Sequence, residues 1–220
     1  MYVPAHFSLS DERIVDILAS VRVADLVTFG EAGLTATRVP MVYDPSVGDR
    51  GALMCHLQRN NTQWTHIAHE ALVIVNGPEH YVSPTWFPDG PPTAVPTWDY
   101  ITVHARGTLV AHTDPEWLRT QVSLLSDRFE PTDDTRWTLD DAPTDHVDRM
   151  LRAIVGVEIR LTTWEGKAKM SQNKPVGNLE TQVSRLGAHP AAAFKRDVSL
   201  PAARAKQELV DGVRNRLQKS

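Results

Sequence analysis

Five short apolar runs follow one another between residues 26 and 82, and this order constrains the fold more than any other feature of the chain. The runs are rich in β-branched and aromatic residues and are separated by Gly, Pro, Asn and Asp, a pattern typical of strands joined by turns. They cover residues 26–29, 33–43, 51–57, 71–75 and 80–82. Since no helix-length pattern separates them, the βαβ rhythm of a parallel sheet is absent. We therefore predict a mainly β protein.

Later segments extend the predicted sheet. Residues 100–112 are interpreted as a long strand pair in which Gly107 marks a bulge or bend. Apolar residues alternate strictly with small or polar ones over residues 155–162, which predicts a half-buried strand. The total is about six to eight strands, which favours a closed or split barrel.

Helices are predicted around these strands from apolar spacing and capping signals. Ser10 can cap a first helix whose apolar face holds Ile14, Ile17, Leu18 and Val21. Residues 113–116, Thr-Asp-Pro-Glu, have the pattern of a capping box with proline in the first turn. The helix that follows carries Trp117, Leu118, Val122, Leu124, Leu125 and Phe129 on one side. Another begins at Thr144 and is expected to bury Val147, Met150, Leu151 and Ile154, and residues 174–186 and 199–217 are also predicted to be helical.

Composition narrows the functional classes. A chain of 220 residues suits one barrel-sized domain with helical additions, and the single cysteine, Cys55, excludes an intrachain disulfide. The longest apolar run, residues 71–75, is too short to cross a bilayer, so no membrane partner is expected. The first residues have neither a basic nor an apolar signal region. We therefore expect a cytoplasmic protein.

Charge is distributed unevenly along the chain. The formal net charge is −4, but residues 195–220 hold seven basic against three acidic side chains, a net of +4, so the preceding 194 residues carry −8. Such a balance argues against a general nucleic-acid coat, and the sequence shows no helix-turn-helix. DNA is a possible partner that the sequence does not support.

Familiar metal and nucleophile motifs are missing from the sequence. His66 and His69 have a spacing that suits one helix face, and Cys55-His56 adds soft ligands, but no third ligand completes a set. Gly-rich nucleotide loops and the GxSxG elbow are also absent. We predict no metal site and assign no catalytic residue.

Residues 77–100 concentrate rings, hydroxyls and prolines within the length of one hairpin. The rings are Trp86, Phe87, Trp98 and Tyr100, the hydroxyls are Ser83, Thr85 and Thr97, and the prolines are Pro84, Pro88 and Pro96. These residue types suit a site for a flat ligand, because rings supply a wall and X-Pro steps fix extended backbone. An aromatic hairpin packed into a core explains the segment equally well.

Several blocks of sequence resemble the PaiB family. They are Met1–Phe7; Gly51 and Leu53 with His56-Leu57, Arg59-Asn60-Asn61 and Gln63-Trp64; Gly77-Pro78 with His80–Pro84 and Trp86; Val95–Trp98 with Tyr100; and Lys169–Asn173. The resemblance implies an FMN-binding split β-barrel, mainly β with added helices, that forms homodimers and acts as a negative transcriptional regulator. It covers most of residues 1–175 and is weak beyond them. We therefore predict a split-barrel domain over residues 1–175 and a helical extension over residues 176–220, packed on the barrel or on a partner subunit.

The chain departs from the family pattern at three positions. Thr85 and Phe87 replace a serine and a tyrosine around the first tryptophan, and Asp99 replaces an asparagine after the second. Phe87 removes a phenolic donor, and Asp99 exchanges an amide for an acceptor-only carboxylate.

The resemblance also implies a set of FMN-binding residues. A phosphate dianion is best held by cationic and hydroxyl groups, for which the candidates are Arg38, Arg59, Lys169 and Ser171. Trp86 and Trp98 are candidates for the wall of the flavin ring. The remaining candidates are His56, Asn60, Ser83, Thr97, Gln172 and Asn173.

Three functional hypotheses remain open. The first is an FMN-binding transcriptional regulator, acting directly or indirectly. The second is an FMN-dependent oxidoreductase, since the cofactor supplies the redox chemistry. The third is a haem-binding or haem-degrading protein on the same barrel, which needs a histidine such as His56, His66 or His104 to face an open cavity.

Overall fold

A computed structural model describes residues 1–66, 69–87 and 95–217. Within these residues, seven strands form one sheet: β1 (Val23–Gly30), β2 (Gly33–Pro40), β3 (Val42–Asp44), β4 (Ala52–Gln58), β5 (Glu70–Val82), β6 (Thr97–His112) and β7 (Ile154–Lys169). Their order is β2-β1-β5-β6-β7-β4-β3, and the pairings β1–β2, β1–β5, β3–β4 and β4–β7 are antiparallel. The predicted fold class, mainly β with added helices, is confirmed.

Helices occupy the start, the β6–β7 connection and the C-terminal segment. They are α1 (Asp11–Ala19), α2 (Pro115–Phe129), α3 (Thr144–Arg152), α4 (Val176–Leu186), α5 (Pro190–Phe194) and α6 (Leu200–Leu217). A π-helical turn, Lys195–Ser199, joins α5 to α6. Short 3₁₀ turns lie at Ala5–Phe7, Thr62–Thr65, Pro84–Trp86 and Leu139–Asp141.

Two predicted strand boundaries are wrong because glycines that suggested turns serve close packing instead. Residues 71–75 and 80–82 belong to one strand, β5, in which a Cβ on Gly77 would lie 3.0 Å from the Ile101 Cβ of β6. The predicted strand pair at 100–112 is the single strand β6. At Gly107 a Cβ would lie 2.2 Å from the Arg160 carbonyl oxygen, so the glycine permits close approach to β7. The predicted run 33–43 divides at Met41, whose N–H donates to the Arg22 carbonyl at 3.0 Å.

The apolar faces predicted for the two middle helices are only partly buried. Asp114, and not Thr113, caps α2 by accepting from the Trp117 N–H at 2.9 Å. On α2 the buried residues are Leu118 and Gln121, while Leu124 and Phe129 are exposed. On α3, Val147 and Leu151 are buried whereas Met150 is exposed, and Ile154 begins β7.

The chain divides into two compact units. The terminal unit comprises Met1–Ser10, Asn76–Thr102 and Gly166–Ser220, and the central unit comprises Asp11–Val75 and Val103–Glu165. Strands β5, β6 and β7 each contribute residues to both. The central unit has a buried cluster of Leu118, Leu139, Val147 and Leu151, and the terminal unit has one of Leu179, Leu200 and Ala203.

Candidate functional site

An open cleft of about 700 Å³ lies in the central unit, where the end of β4 meets α2 and α3. Three of the residues predicted from the sequence line it: His56, Arg59 and Asn60. Its other lining residues are mostly apolar: Gln58, Val122, Trp137, Leu139, Ala142, His146, Val147, Met150, Leu151, Ala153 and Ile154. Among the described residues the lining contains no carboxylate, so Arg59 gives it a positive fixed charge. Ligand sites are commonly apolar clefts of this size with a few polar groups.

Arg59 is fixed at this cleft by the end of α3. Its backbone N–H donates to the Ala153 carbonyl at 2.8 Å. Its guanidinium donates from Nε to the Arg152 carbonyl at 2.8 Å and from Nη2 to the Ile154 carbonyl at 2.9 Å. A guanidinium has five N–H donors, so these two bonds orient the group and leave three for a ligand. Cations at a helix C-terminus are also favoured by the helix dipole.

His56 reaches the same cleft from β4. Its Nδ1 lies 3.0 Å from Oε1 of Gln121, a buried residue of α2. Because an amide oxygen can only accept, this contact places the proton on Nδ1 and leaves Nε2 as an acceptor or metal ligand. Sequence reasoning did not identify Gln121, because a glutamine within a helix is usually exposed.

The loop after β4 is held rigid by a buried glutamine. Gln63 donates from Nε2 to the Leu26 and Thr35 carbonyls at 2.9 and 3.2 Å, and its Oε1 accepts from Thr37 Oγ1 at 2.5 Å. Asn61 caps the short turn by accepting from the Gln63 N–H at 3.0 Å. Buried side-chain bonds of this kind restrict the backbone on which Arg59 and Asn60 lie.

Arg38, the other arginine predicted for the phosphate, lies on β2 opposite Asp25 of β1. Its Nη1 is 3.7 Å from Asp25 Oδ1, and its side chain is 66% exposed. It is not among the residues that line the cleft.

Three further predicted residues meet in the terminal unit. The Lys169 ammonium donates to Thr97 Oγ1 at 2.5 Å and to the Trp98 carbonyl. It also lies 6.0 Å from the centroid of the Tyr100 ring, a distance typical of a cation–π contact. The Trp98 side chain is exposed. Lys169 thus has protein partners that a phosphate would share or displace.

Ser171 belongs to a buried polar cluster that the sequence did not predict as a unit. Its Oγ donates to Asp99 Oδ2 at 2.6 Å, and its φ of 63° lies in the left-handed region that few non-glycine residues adopt. The Lys195 ammonium donates to the same carboxylate, to Gln182 Oε1 at 2.6 Å and to the Met170 carbonyl at 3.3 Å. Burial lowers the pKa of Lys195, and the charge of Asp99 opposes that shift.

The aromatic segment packs around a buried histidine. His80 stacks on Trp86 with ring centroids 6.2 Å apart, and its Nε2 is 3.9 Å from Asp99 Oδ2. Burial lowers the pKa of His80. Ser83 caps the short turn at Trp86, its Oγ lying 2.8 Å from Thr85 Oγ1, while Phe87 is buried. Pro88, counted among the prolines of this segment, lies outside the described residues.

The last two predicted residues follow β7. Gln172 is occupied locally, because its Oε1 accepts from the Met170 N–H at 2.8 Å and its Nε2 donates to the Ala168 carbonyl at 2.6 Å. Asn173 is exposed and lines a second pocket in the terminal unit.

Other reactive groups considered from the sequence do not line the cleft. Burial raises the pKa of the Cys55 thiol to about 12, so this cysteine is not a ready nucleophile. His66 pairs with Thr28 through Nδ1 at 2.8 Å, and burial lowers the pKa of His104. Across the described residues, no group of three His, Cys, Asp or Glu side chains is placed to hold a metal ion, and no helix is long and apolar enough to cross a membrane.

Curated relatives of this chain come from fungi and bacteria. An uncharacterized protein of Aspergillus fumigatus is 32% identical over 147 residues, which are 59% of this chain and 56% of the relative. Protease synthase and sporulation protein PAI 2 of Bacillus subtilis is 25% identical over 177 residues, which are 79% of this chain and 83% of the relative. The chain spans little more than half the length of the first fungal relatives.

A solved structure and a family model also match this chain. The FAD and heme binding protein of Mycobacterium smegmatis shares the fold with a TM-score of 0.54 at 20% identity, over 73% of this chain and 71% of that one. A family model described as "Putative FMN-binding domain" matches residues 1–163. The predicted resemblance to the PaiB family and the predicted split-barrel fold are confirmed. Because the model matches more than half of the chain, the protein belongs to this FMN-binding domain family.

Proposed function

We propose that the protein binds FMN, with the flavin ring in the cleft of the central unit and the phosphate at Arg59. The observation that carries this proposal is the convergence of His56, Arg59 and Asn60 on one mostly apolar cleft of about 700 Å³. The sequence predicts these three residues as FMN-binding residues. The family description of residues 1–163 supports the choice of flavin.

The chemistry of the cleft fits FMN at both ends of the molecule. Apolar side chains from α2 and α3 suit a flat ring, and Trp137 adds an aromatic face. Arg59 offers forked donors to the phosphate dianion, and the described lining holds no carboxylate to repel it. When bound, FMN would supply hydride or electron transfer, while these residues bind and orient it.

Titration of the purified protein with FMN and with riboflavin, followed by flavin fluorescence, tests this assignment. Arg59→Ala should weaken FMN binding by about 1.5–3 kcal/mol, the range for a hydrogen bond to a charged group. Riboflavin, which lacks the phosphate, should bind parent and variant alike. Arg38→Ala is the matched control, because Arg38 is an exposed arginine that does not line the cleft.

Two results would contradict the assignment. If Arg59→Ala and Arg38→Ala bind FMN as the parent does, the phosphate lies elsewhere, and Lys169→Ala becomes the next variant. If Arg38→Ala alone loses affinity, the phosphate lies on β2. Retained riboflavin binding shows that the Arg59→Ala variant is folded despite the loss of two bonds to carbonyls.

Haem is a second candidate ligand for the same cleft, and His56 is the observation that favours it. The contact with Gln121 leaves His56 Nε2 in the state that binds iron, and hydrogen bonding of the other ring nitrogen is usual for metal-bound histidine. Met150 and His146, one helical turn apart on α3, line the same cleft. A Soret band that appears with hemin and is lost in His56→Ala would support haem; saturable FMN binding without such a band supports the first assignment.

A role as a negative transcriptional regulator is the finer proposal, supported by the similarity to PAI 2 and by the PaiB resemblance. A DNA shift assay at several salt concentrations tests direct action, since phosphate contacts are salt-sensitive. FMN-dependent oxidation of NADH without DNA binding would favour the oxidoreductase alternative. A cytoplasmic location stays a prediction.

A further inference from the structure

A second pocket, of about 460 Å³, lies in the terminal unit. Three segments form it: the start of the chain, the turn after β7 and the C-terminal helices. Seven of its ten lining residues lie beyond residue 163, where the family model ends. The C-terminal helices, which the family model does not match, therefore supply part of this pocket.

The pocket lining combines apolar residues, called the apolar floor below, with polar donors. Leu9, Ala168, Phe194, Val198 and Ala202 supply the floor. Lys206, His6 and Asn173 supply donors, and among the described lining residues there is no carboxylate. Lys206 has no hydrogen bond or ion pair within the described part of the chain, so its ammonium is available to a ligand.

The walls of the pocket are held by specific bonds. Ser199 donates to the Met170 carbonyl at 3.0 Å, which fixes the turn between α5 and α6 against the end of β7. Gln172 accepts from the Met170 N–H at 2.8 Å, which fixes the turn that carries Asn173. A pocket whose walls are fixed in this way binds with less loss of conformational freedom.

Surrounding charge also favours an anion. An adjoining depression of about 350 Å³ shares Asn173 and Lys206 with the pocket. It adds Lys174 and Arg214 against a single carboxylate, Asp211. Lys174 and Arg214, which line this depression together with Lys206, raise the local concentration of anionic ligands.

We propose that this pocket binds a small organic anion with an apolar body, of which a medium-chain carboxylate is the simplest example. The carboxylate meets Lys206 and Asn173, and the chain lies on the apolar floor. The volume of about 460 Å³ is within the range of small-molecule sites. This site would give the protein a second ligand, separate from a bound flavin.

Calorimetric titration with sodium octanoate, and with 1-octanol as the neutral match, tests the proposal on the full chain. Octanoate should bind saturably, and octanol about fivefold more weakly or worse, since it lacks the charge that Lys206 meets. Lys206→Gln should weaken octanoate about fivefold and leave octanol unchanged. Arg216→Gln is the matched control, because it removes one cation from α6 without touching the pocket.

A space-filling variant tests the apolar floor independently. Ala202 is exposed, so Ala202→Trp should fold normally and exclude both octanoate and octanol while FMN binding stays unchanged. The proposal is wrong if the parent shows no saturable octanoate binding, or if octanoate and octanol bind alike. It is also wrong if Lys206→Gln and Arg216→Gln weaken octanoate binding equally, because the affinity would then depend only on the net charge of the protein.

Discussion

Asp99 and Lys195 are both almost completely buried, and each supplies the charge that the other requires. A buried carboxylate or ammonium is costly unless it is paired and hydrogen-bonded. Ser171 and Gln182 occupy further positions around the pair. The carboxylate at position 99, where the PaiB resemblance implies an asparagine, is therefore matched by a lysine beyond the region of resemblance.

Asp99→Asn should lower the free energy of unfolding by about 3–5 kcal/mol, because it leaves the Lys195 ammonium buried without a counter-charge. Urea unfolding followed by circular dichroism measures this change. The double variant Asp99→Asn/Lys195→Met removes both charges and should recover at least half of the loss. A single variant within 1 kcal/mol of the parent, or a double variant no better than the single, would contradict the pairing.

How well single residues could be predicted depended on their position in the chain. His56, Arg59 and Asn60 lie within residues 51–64, one of the stretches that resemble the PaiB family, and the structure brings them to one cleft. Gln121 and Lys195 were not predicted, because polar residues within helices are usually exposed and their partners are 65 and 96 positions away. Local sequence patterns do not report such distant pairs. The one available signal was the unusual carboxylate Asp99, because a buried carboxylate requires a basic partner.

At the scale of elements, one contact between α2 and the sheet is made by an aromatic ring. Trp117 stacks on His112 with centroids 4.0 Å apart and planes 5° apart. His112 Nε2 is 2.7 Å from Oε2 of the buried Glu158. A Cβ on Gly156 of β7 would lie 2.1 Å from the Trp117 ring, so the glycine provides the space that the ring occupies.

Gly156→Ala should lower the free energy of unfolding by about 1–3 kcal/mol, since the added methyl displaces a ring that is stacked on its other side. Gly212→Ala is the matched control: Gly212 lies in α6, and beyond its chain neighbours and the backbone of its own helix nothing lies within 4 Å of the new Cβ. Alanine there should stabilise the helix by about 0.5–1 kcal/mol. Chemical denaturation of both variants checks the pair. If both variants change the free energy of unfolding equally, the packing of the Trp117 ring does not depend on Gly156.

The strand in which apolar and polar residues alternate strictly could be predicted from the sequence. The strand that contains typical turn residues could not be predicted as one element. The alternation over residues 155–162 predicted the strand that became β7, which extends from Ile154 to Lys169. Asn76-Gly77-Pro78 predicted a turn, yet β5 continues through it. Local propensity was overridden there by the pairing of a long strand, which sequence windows do not report.

At the scale of the whole molecule, the order of the chain does not follow its compact units. Strands β5, β6 and β7 each contribute to both units, so the units interleave along the sequence. The predicted boundary near residue 175 follows the end of the PaiB resemblance, whereas the family model ends at residue 163. The division into two domains at that position stays a prediction, which expression of residues 1–175 alone would test.

The outer half of α6 has exposed apolar side chains. Leu200 and Ala203 are buried at its start, whereas Leu209, Val213 and Leu217 are exposed. The sequence predicted that these three side chains, spaced four residues apart, would be covered by the barrel or by a partner subunit. Within the described part of the chain the side chains of Leu209 and Val213 are exposed, so a second copy is the remaining predicted partner.

Leu209→Glu combined with Val213→Glu should therefore convert a homodimer into a monomer. The fold should survive, because exposed positions usually change the free energy of unfolding by less than about 0.5 kcal/mol. Light scattering coupled to size exclusion measures the mass, and thermal denaturation at low concentration checks the fold. A variant that stays dimeric would move the interface to the aromatic segment, where Trp98 is exposed and Trp98→Ala becomes the test. A parent protein that is monomeric at all concentrations would show that the predicted homodimer is wrong.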